Sequence, residues 1–178
     1  MLDSILQSFY LLLPAAFGNM APVLFKWIPF LNIPVDLNNT FRGKPIFGKN
    51  KTYRGFLFGT LTAIFIVYLQ QIFYTQTQSL TVIDYSQINI FILGFLMGFG
   101  ALLGDLIESF FKRQVGIGSG KPWFPFDQID WVLGSLLISS LYISHSREII
   151  IVSIILFGLL HPLVNLVGYY LGIKSNKF

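Results

Sequence analysis

The stretch that decides the fold is GDLIESFFKR, residues 104–113. Asp105, Glu108, Lys112 and Arg113 arrive directly after a 17-residue uncharged, largely apolar run, Ile88 to Gly104. Two acids and two bases at the end of such a run need a reason.

Composition sets the class. Of 178 residues, 54% are hydrophobic and 11% charged, and the mean hydropathy is +0.67. Soluble domains carry about 25% charged residues, so a water-soluble core is a poor explanation. The charges divide the chain into uncharged stretches at 4–25, 55–83, 85–104, 131–146 and 149–173. A bilayer-spanning helix needs roughly 20 such residues. The expectation is an all-α integral membrane protein, one domain over 1–178, with five transmembrane helices at about 4–26, 54–75, 88–111, 127–144 and 149–172. The fourth uncharged stretch, 16 residues long, reaches roughly 24 Å against a hydrocarbon core of about 30 Å. That helix must enter a thinned or water-lined region, or keep its flanking charges inside the membrane boundary.

The chain begins Met1-Leu2-Asp3 with no basic residue ahead of the first apolar run. A cleavable signal needs that basic region, so the first helix is expected to be retained. The absence of cysteine excludes disulfides and thiolate metal sites. With the N-terminus outside and the C-terminus cytoplasmic, 11 of the 12 Lys and Arg residues fall on the cytoplasmic side. Only Arg147 lies outside, and the opposite orientation would invert this bias. The expected location is the cell membrane, multi-pass, with a polar cavity facing the cytoplasm.

Two clusters exceed what topology requires. The loop DLNNTFRGKPIFGKNKTYRG, 36–55, holds five basic residues among Gly43, Gly48 and Gly55. Basic side chains beside glycines, where backbone N–H groups come close, suit a polyphosphate. GKPIFGKN meets most of the P-loop spacing, but Asn50 stands where Ser or Thr is needed and no strand is expected before it. The competing reading is a loop resting on anionic lipid headgroups.

The second cluster is 104–130. On a helix, Asp105, Glu108, Ser109 and Lys112 share one face with Arg113 beside it, leaving Leu106, Ile107, Phe110 and Phe111 for the remaining surface. Glycine-rich residues 116–121 turn the chain, and Asp127 and Asp130 open the next helix at i, i+3. Each acid has an ordinary structural role open to it: an N-cap at Asp127, a dipole partner at Asp130, an i, i+4 pair for Glu108 with Lys112. Four such acids in a chain with eight favour function, because acids at membrane depth are costly. Oxygen ligands without cysteine, with histidine only at 145 and 161, disfavour zinc and suit Mg²⁺. Mg²⁺ with Lys and Arg is what a phosphoryl-group reaction on a nucleoside triphosphate requires.

The chain resembles the CDP-archaeol synthase family, the membrane cytidylyltransferases of archaeal lipid synthesis, and more distantly the CDP-diacylglycerol synthases. PAAFGNMAPVLFK, GKNKTYRGFLFG, GDLIESFFKR and PFDQIDWVLG carry the resemblance, the last two most specifically. The diacylglycerol enzymes have a Lys-Asp pair and a His-Gly-Gly stretch between these last motifs and an Arg in the final one. Here the connection is the shorter QVGIGSGKPWFPF, and Gln128 stands in the Arg position.

The resemblance implies transfer of a cytidylyl group from CTP to 2,3-bis-O-geranylgeranyl-sn-glycerol 1-phosphate within the lipid bilayer, with Mg²⁺, releasing pyrophosphate and involving no nucleic acid. The implied Mg²⁺ ligands are Asp105 and Asp127, with Asp130 and Glu108 as further or supporting ligands. Lys112 and Arg113 would contact phosphates at the transition state. Lys49, Lys51, Thr52 and Arg54 would hold the triphosphate, with Asn50 at ribose or base. Pro14, Asn19 and Pro22 read first as a kink in helix one, and the resemblance adds Asn19 to the cavity. His161 and Asn165 read equally as bonds between helices. The alternatives are a synthase acting on phosphatidic acid and a small transporter, although an odd helix count lacks the paired halves expected of the latter.

The topology is directly testable in this cysteine-free chain. Cysteine placed at Gln78 should label from outside, and cysteine at Lys177 only after permeabilisation. Equal outside labelling of both would overturn the orientation.

Overall fold

Residues 1–170 are described by the structure, a computed structural model. The tail with Lys174 and Lys177, the expected helix end at 172 and the side chains of His161 and Asn165 lie outside the described residues. The chain runs α1 (Leu2–Leu24), β1 (Thr40–Phe41), β2 (Lys44–Pro45), α2 (Tyr53–Ile72), α3 (Tyr74–Thr77), a 3₁₀ turn at Gln78–Leu80, α4 (Ile90–Gln114), α5 (Phe126–Ser139) and α6 (Arg147–Tyr170).

One feature departs from the expectation of an all-helical chain. The basic loop contains a hairpin, with Thr40 opposite Pro45 and Phe41 opposite Lys44. Its two-residue turn has Arg42 at φ 51° and Gly43 at φ 74°. Positive φ at both central positions is the turn that matches strand twist. Among the described residues, two helices, Tyr53–Ile72 and Ile90–Gln114, are both long and apolar enough to cross a membrane. α1 and α6 have 23 and 24 residues, so length is not what separates them. α5 ends at Ser139 after 14 residues, about 21 Å. It is shorter than the uncharged stretch suggested.

The helices approach closely because glycine lines their contacts. A Cβ at Gly18 would lie 3.0 Å from the Gly59 carbonyl, and one at Gly98 would lie 2.5 Å from Ala63 Cβ. α4 and α5 are closer still. A Cβ at Gly104 would overlap the Asp130 carbonyl, and one at Gly134 would overlap the Gly100 carbonyl. Small residues in register let backbones meet where no hydrophobic effect drives helices together. Leu11, Leu12, Val67, Leu93, Met97 and Val132 fill the buried interior. Trp131 meets Phe157 edge-on at 5.0 Å. Leu61, Phe65, Phe91, Leu137 and Leu159 stay exposed on the helix exteriors, an apolar surface suited to hydrocarbon rather than water.

The two ends of the bundle differ. At one end Tyr85 is buried and donates to Gln70 Oε1 at 2.9 Å, Gln70 Nε2 donates to the Tyr10 carbonyl at 2.6 Å, and Ser4 donates to Glu148. At the other end lie the basic loop, the last turns of α4 and the first turn of α5. α4 starts on an Asn89 cap that accepts from Phe91 and Ile92 N–H. It stops at Gly116, φ 86°. There the Ile117 N–H bonds the Lys112 carbonyl and the Gly116 N–H bonds the Arg113 carbonyl, a Schellman closure. That closure turns residues 117–125 back across the end of the bundle.

Replacing Gly104 with Leu should therefore wedge α4 from α5, at a cost of about 1–3 kcal/mol or more, and should lower the melting temperature in detergent. Gly116→Ala meets no neighbour and should cost only left-handed backbone strain, about 1–2 kcal/mol. Equal melting temperatures for Gly104→Leu and wild type would contradict the close contact.

Candidate active site

The loop after α1 is held by its own hydrogen bonds. Val35 N–H bonds the Lys51 carbonyl at 2.8 Å, Tyr53 N–H the Ile33 carbonyl at 3.0 Å, and Arg54 N–H the Leu31 carbonyl at 2.9 Å. Asp36 is buried beneath the hairpin and accepts from Phe47 and Gly48 N–H at 2.9 Å and from Asn38 N–H at 3.0 Å. Burial alone would raise its pKa. The three backbone donors outweigh that and hold its carboxyl below the ordinary carboxylate value. Asp36 thereby anchors the loop segment that delivers Asn50 and Lys51.

Those residues meet α4 and α5 in a cavity of about 340 Å³ lined by Asn19, Asn50, Lys51, Asp105, Glu108, Lys112, Arg113, Asp127 and Asp130. Ligand sites typically occupy about 300–1,000 Å³. Lys51 Nζ lies 2.5 Å from Asp105 Oδ2. Lys112 reaches Glu108 Oε1 at 3.6 Å and forms an ion pair with Asp127. The other carboxylate oxygen of Asp127, Oδ2, accepts from Trp123 N–H at 2.5 Å, and Asp130 Oδ1 accepts from Trp131 N–H at 2.6 Å.

One carboxylate oxygen from each of Asp105, Glu108 and Asp130 lies within 4.8 Å of the others. Octahedral Mg²⁺ holds oxygens at about 2.0–2.1 Å, so opposite ligands stand roughly 4.1 Å apart. Small rotations of these carboxylates would reach that geometry, and the donor set is all oxygen. The three residues fit such a cation. Asp127 lines the same cavity but is engaged with Lys112 and the Trp123 amide, outside the three-carboxylate cluster.

The triphosphate candidates separate. Lys51 and Asn50 line the cavity, with Asn50 Nδ2 donating to Ser119 Oγ at 3.0 Å. Thr52 is buried and caps α2, accepting from Gly55 N–H at 3.1 Å. Arg54 is buried beside the loop and donates to the Lys26 and Ile28 carbonyls at 2.8 and 2.5 Å. Lys49 is exposed and outside the cavity lining. Ser109, Ser119 and Lys121 also line the cavity. Ser109 shares the α4 polar face, a signal legible in its spacing. Nothing local marks Ser119 or Asp36, because a chain turn brings each of them into place.

Arg113 is the telling side chain. It is 7% exposed and lines the cavity, and its Nε and Nη1 have no partner among the described residues. A guanidinium buried without a partner is costly, and it is the group best shaped for phosphate oxygens. Carboxylates of α4 and α5 interleaved with Lys51, Lys112 and Arg113 in one cavity suit a class: a helical protein that handles phosphate esters beside apolar helices.

The family follows from likeness across the full length. The CarS-like CDP-archaeol synthase model matches residues 1–178. The CDP-archaeol synthase of Pyrobaculum islandicum is 37% identical, covering 98% of this chain and 99% of its own. That of Archaeoglobus fulgidus is 36% identical, covering 98% of each. A solved structure of an intramembrane enzyme for archaeal membrane lipids biosynthesis superposes with a TM-score of 0.73 at 28% identity, covering 90% of this chain and 94% of that one. The chain belongs to the CDP-archaeol synthase family.

The geometry ranks the basic residues. Lys51→Ala should weaken CTP binding by about 10- to 150-fold, the equivalent of one charged hydrogen bond. Lys49→Ala should change it far less, and Arg54→Ala should lower the melting temperature first. Isothermal titration with CTP would check this. A Lys49→Ala loss equal to that of Lys51→Ala would overturn the ranking.

Proposed function

We propose that the chain is one membrane domain with five spans, its N-terminus outside, and that the cavity faces the cytoplasm, where it joins CTP to a dialkyl glycerol phosphate. The unpartnered, buried guanidinium of Arg113 beside three clustered carboxylates carries the reading. The basic bias of the loops supports the orientation, since the hairpin loop and the α4–α5 connection share one end of the bundle. Membership of the family supports the substrates, CTP and the bis-geranylgeranyl glycerol phosphate.

The lipid phosphate is already a competent nucleophile near neutral pH, so neither a covalent intermediate nor a strong base is needed. A phosphate oxygen attacks the α-phosphorus of CTP, the bond to the bridging oxygen breaks, and pyrophosphate leaves. The chain must hold two polyanions together and offset charge on the departing group. Lys51 and Arg113 hold phosphates, and Lys112, kept in position by Glu108 and Asp127, faces the same space. Asn50 is suited to ribose or base, and Asn19 closes the inner wall. Asp105, Glu108 and Asp130 would hold Mg²⁺, which when bound polarises phosphoryl oxygens and neutralises their charge.

Purified protein given CTP, Mg²⁺ and a panel of lipid phosphates should yield CDP-lipid, the dialkyl ether substrate being preferred over phosphatidic acid. Mg²⁺-dependent thermal stabilisation by CTP should accompany it, about 2.7 kcal/mol at 100 times Kd. Asp105→Asn and Asp130→Asn keep shape and remove charge. Each should abolish nearly all transfer with normal folding, and the double variant should be little worse than either, because ligands acting as a unit are non-additive. Substantial activity in Asp130→Asn would remove it from the cation site, and absence of CDP-lipid from every substrate would overturn the reading.

A further inference from the structure

The stretch FKWIPFLNIPVDL, residues 25–37, joins α1 to the hairpin loop and lines no part of the polar cavity. It is firmly held. Phe25 stacks on Phe58 of α2 with ring centroids 4.9 Å apart. Arg54 Nη1 donates to the Lys26 and Ile28 carbonyls, and the N–H groups of Arg54 and Tyr53 bond the carbonyls of Leu31 and Ile33. Leu31 and Leu37 are kept at φ 54° and 50°, left-handed values that a leucine rarely adopts. The backbone is thus tied to the start of α2, yet the large side chains are left outside. Trp27 is 75% exposed and Phe30 61%, and Ile33 and Leu37 are open as well.

We infer that residues 25–37 form an interfacial anchor, seated at the headgroup–acyl boundary of the cytoplasmic leaflet with Trp27, Phe30, Ile33 and Leu37 in the lipid. The inference rests on the five-span reading above. Three observations commit the patch to a lipid surface. It continues the apolar exterior of the span before it, since the end of α1 exposes Met20, Val23 and Leu24. Its composition is that of a boundary layer, because tryptophan and other amphipathic rings are favoured where hydrocarbon meets headgroups. Its surroundings are basic: Lys26, Arg42 and Lys49 are exposed, and Asp36, the one acid between Phe25 and Gly55, is buried. An apolar patch edged by unopposed positive charge suits an anionic leaflet.

The anchor also sets a level. Val35 N–H bonds the Lys51 carbonyl at 2.8 Å, and Lys51 in turn reaches Asp105. The segment that rests in the interface is therefore bonded to a residue of the polar cavity. The depth of the patch fixes the height of Lys51 relative to the headgroup plane, and a loop without this rigid connection would not.

Nitroxide labels read that depth directly in a chain without cysteine. Trp27→Cys, Phe30→Cys and Ile33→Cys each replace an exposed side chain. Leu61→Cys, exposed in the middle of α2, is the reference for hydrocarbon, and Gln78→Cys is the reference for water. The full-length protein is placed in nanodiscs containing anionic lipid, where both faces are open to solutes. Collisions with oxygen, which concentrates in hydrocarbon, are compared with collisions with a water-soluble nickel chelate. The oxygen-to-nickel ratio at Trp27, Phe30 and Ile33 should be severalfold higher than at Gln78 and lower than at Leu61. A ratio at Trp27 and Phe30 equal to that at Gln78, with Leu61 still in hydrocarbon, overturns the anchor and leaves the patch to a protein partner. A ratio at Leu61 equal to that at Gln78 overturns the five-span reading and the anchor with it.

Discussion

The rest of the structure depends on the contact between Gly104 and the Asp130 carbonyl, where α4 and α5 meet backbone to backbone. Asp105 follows Gly104 directly, and Glu108 comes one turn later, so the contact that joins the helices also fixes the distance between their carboxylates. A side chain at 104 would push the Asp130 backbone away from the helix that carries the other two.

Around that contact, most of the charged side chains of α4 are paired across the cavity. Asp105 is met by Lys51, and Asp127 and Glu108 are met by Lys112. Ion pairs that are partly or wholly buried contribute little net stability, but breaking one leaves a costly unpaired charge. Arg113 is buried with two nitrogens that have no partner among the described residues. A guanidinium so placed, in a cavity it shares with acids, has the shape and charge that suit phosphate oxygens.

The supporting loop shows how a membrane enzyme builds soluble-type structure at its face. Asp36 gathers three backbone N–H groups, and a turn with two positive φ values sends the hairpin back. Thr52 then caps α2 so that Lys51 sits immediately outside the helix. Arg54 ties the same helix to the carbonyls that follow α1. Much of the positive charge in this loop therefore does structural work, which explains why basic residues close in sequence differ in reach.

Some of this was legible from the chain alone. Helices emerge from long uncharged stretches because backbone groups in an apolar medium must bond within the segment, and the charges at 105, 108, 112 and 113 fall on one face by helical periodicity. The acids of α4 and α5 could be named as a candidate cation site because their chemistry does not depend on exact placement. What the sequence could not decide was which acids meet. Asp127 and Asp130 are equivalent at i, i+3, yet only Asp130 lies against the glycine contact, while Asp127 is drawn to Lys112 and the Trp123 amide. The roles of Lys49, Lys51 and Arg54 were equally open, since loop direction comes from Asp36 and the Arg42–Gly43 turn, contacts made at a distance in the chain. Local periodicity determines which face a residue shares, and only tertiary packing decides what that face meets.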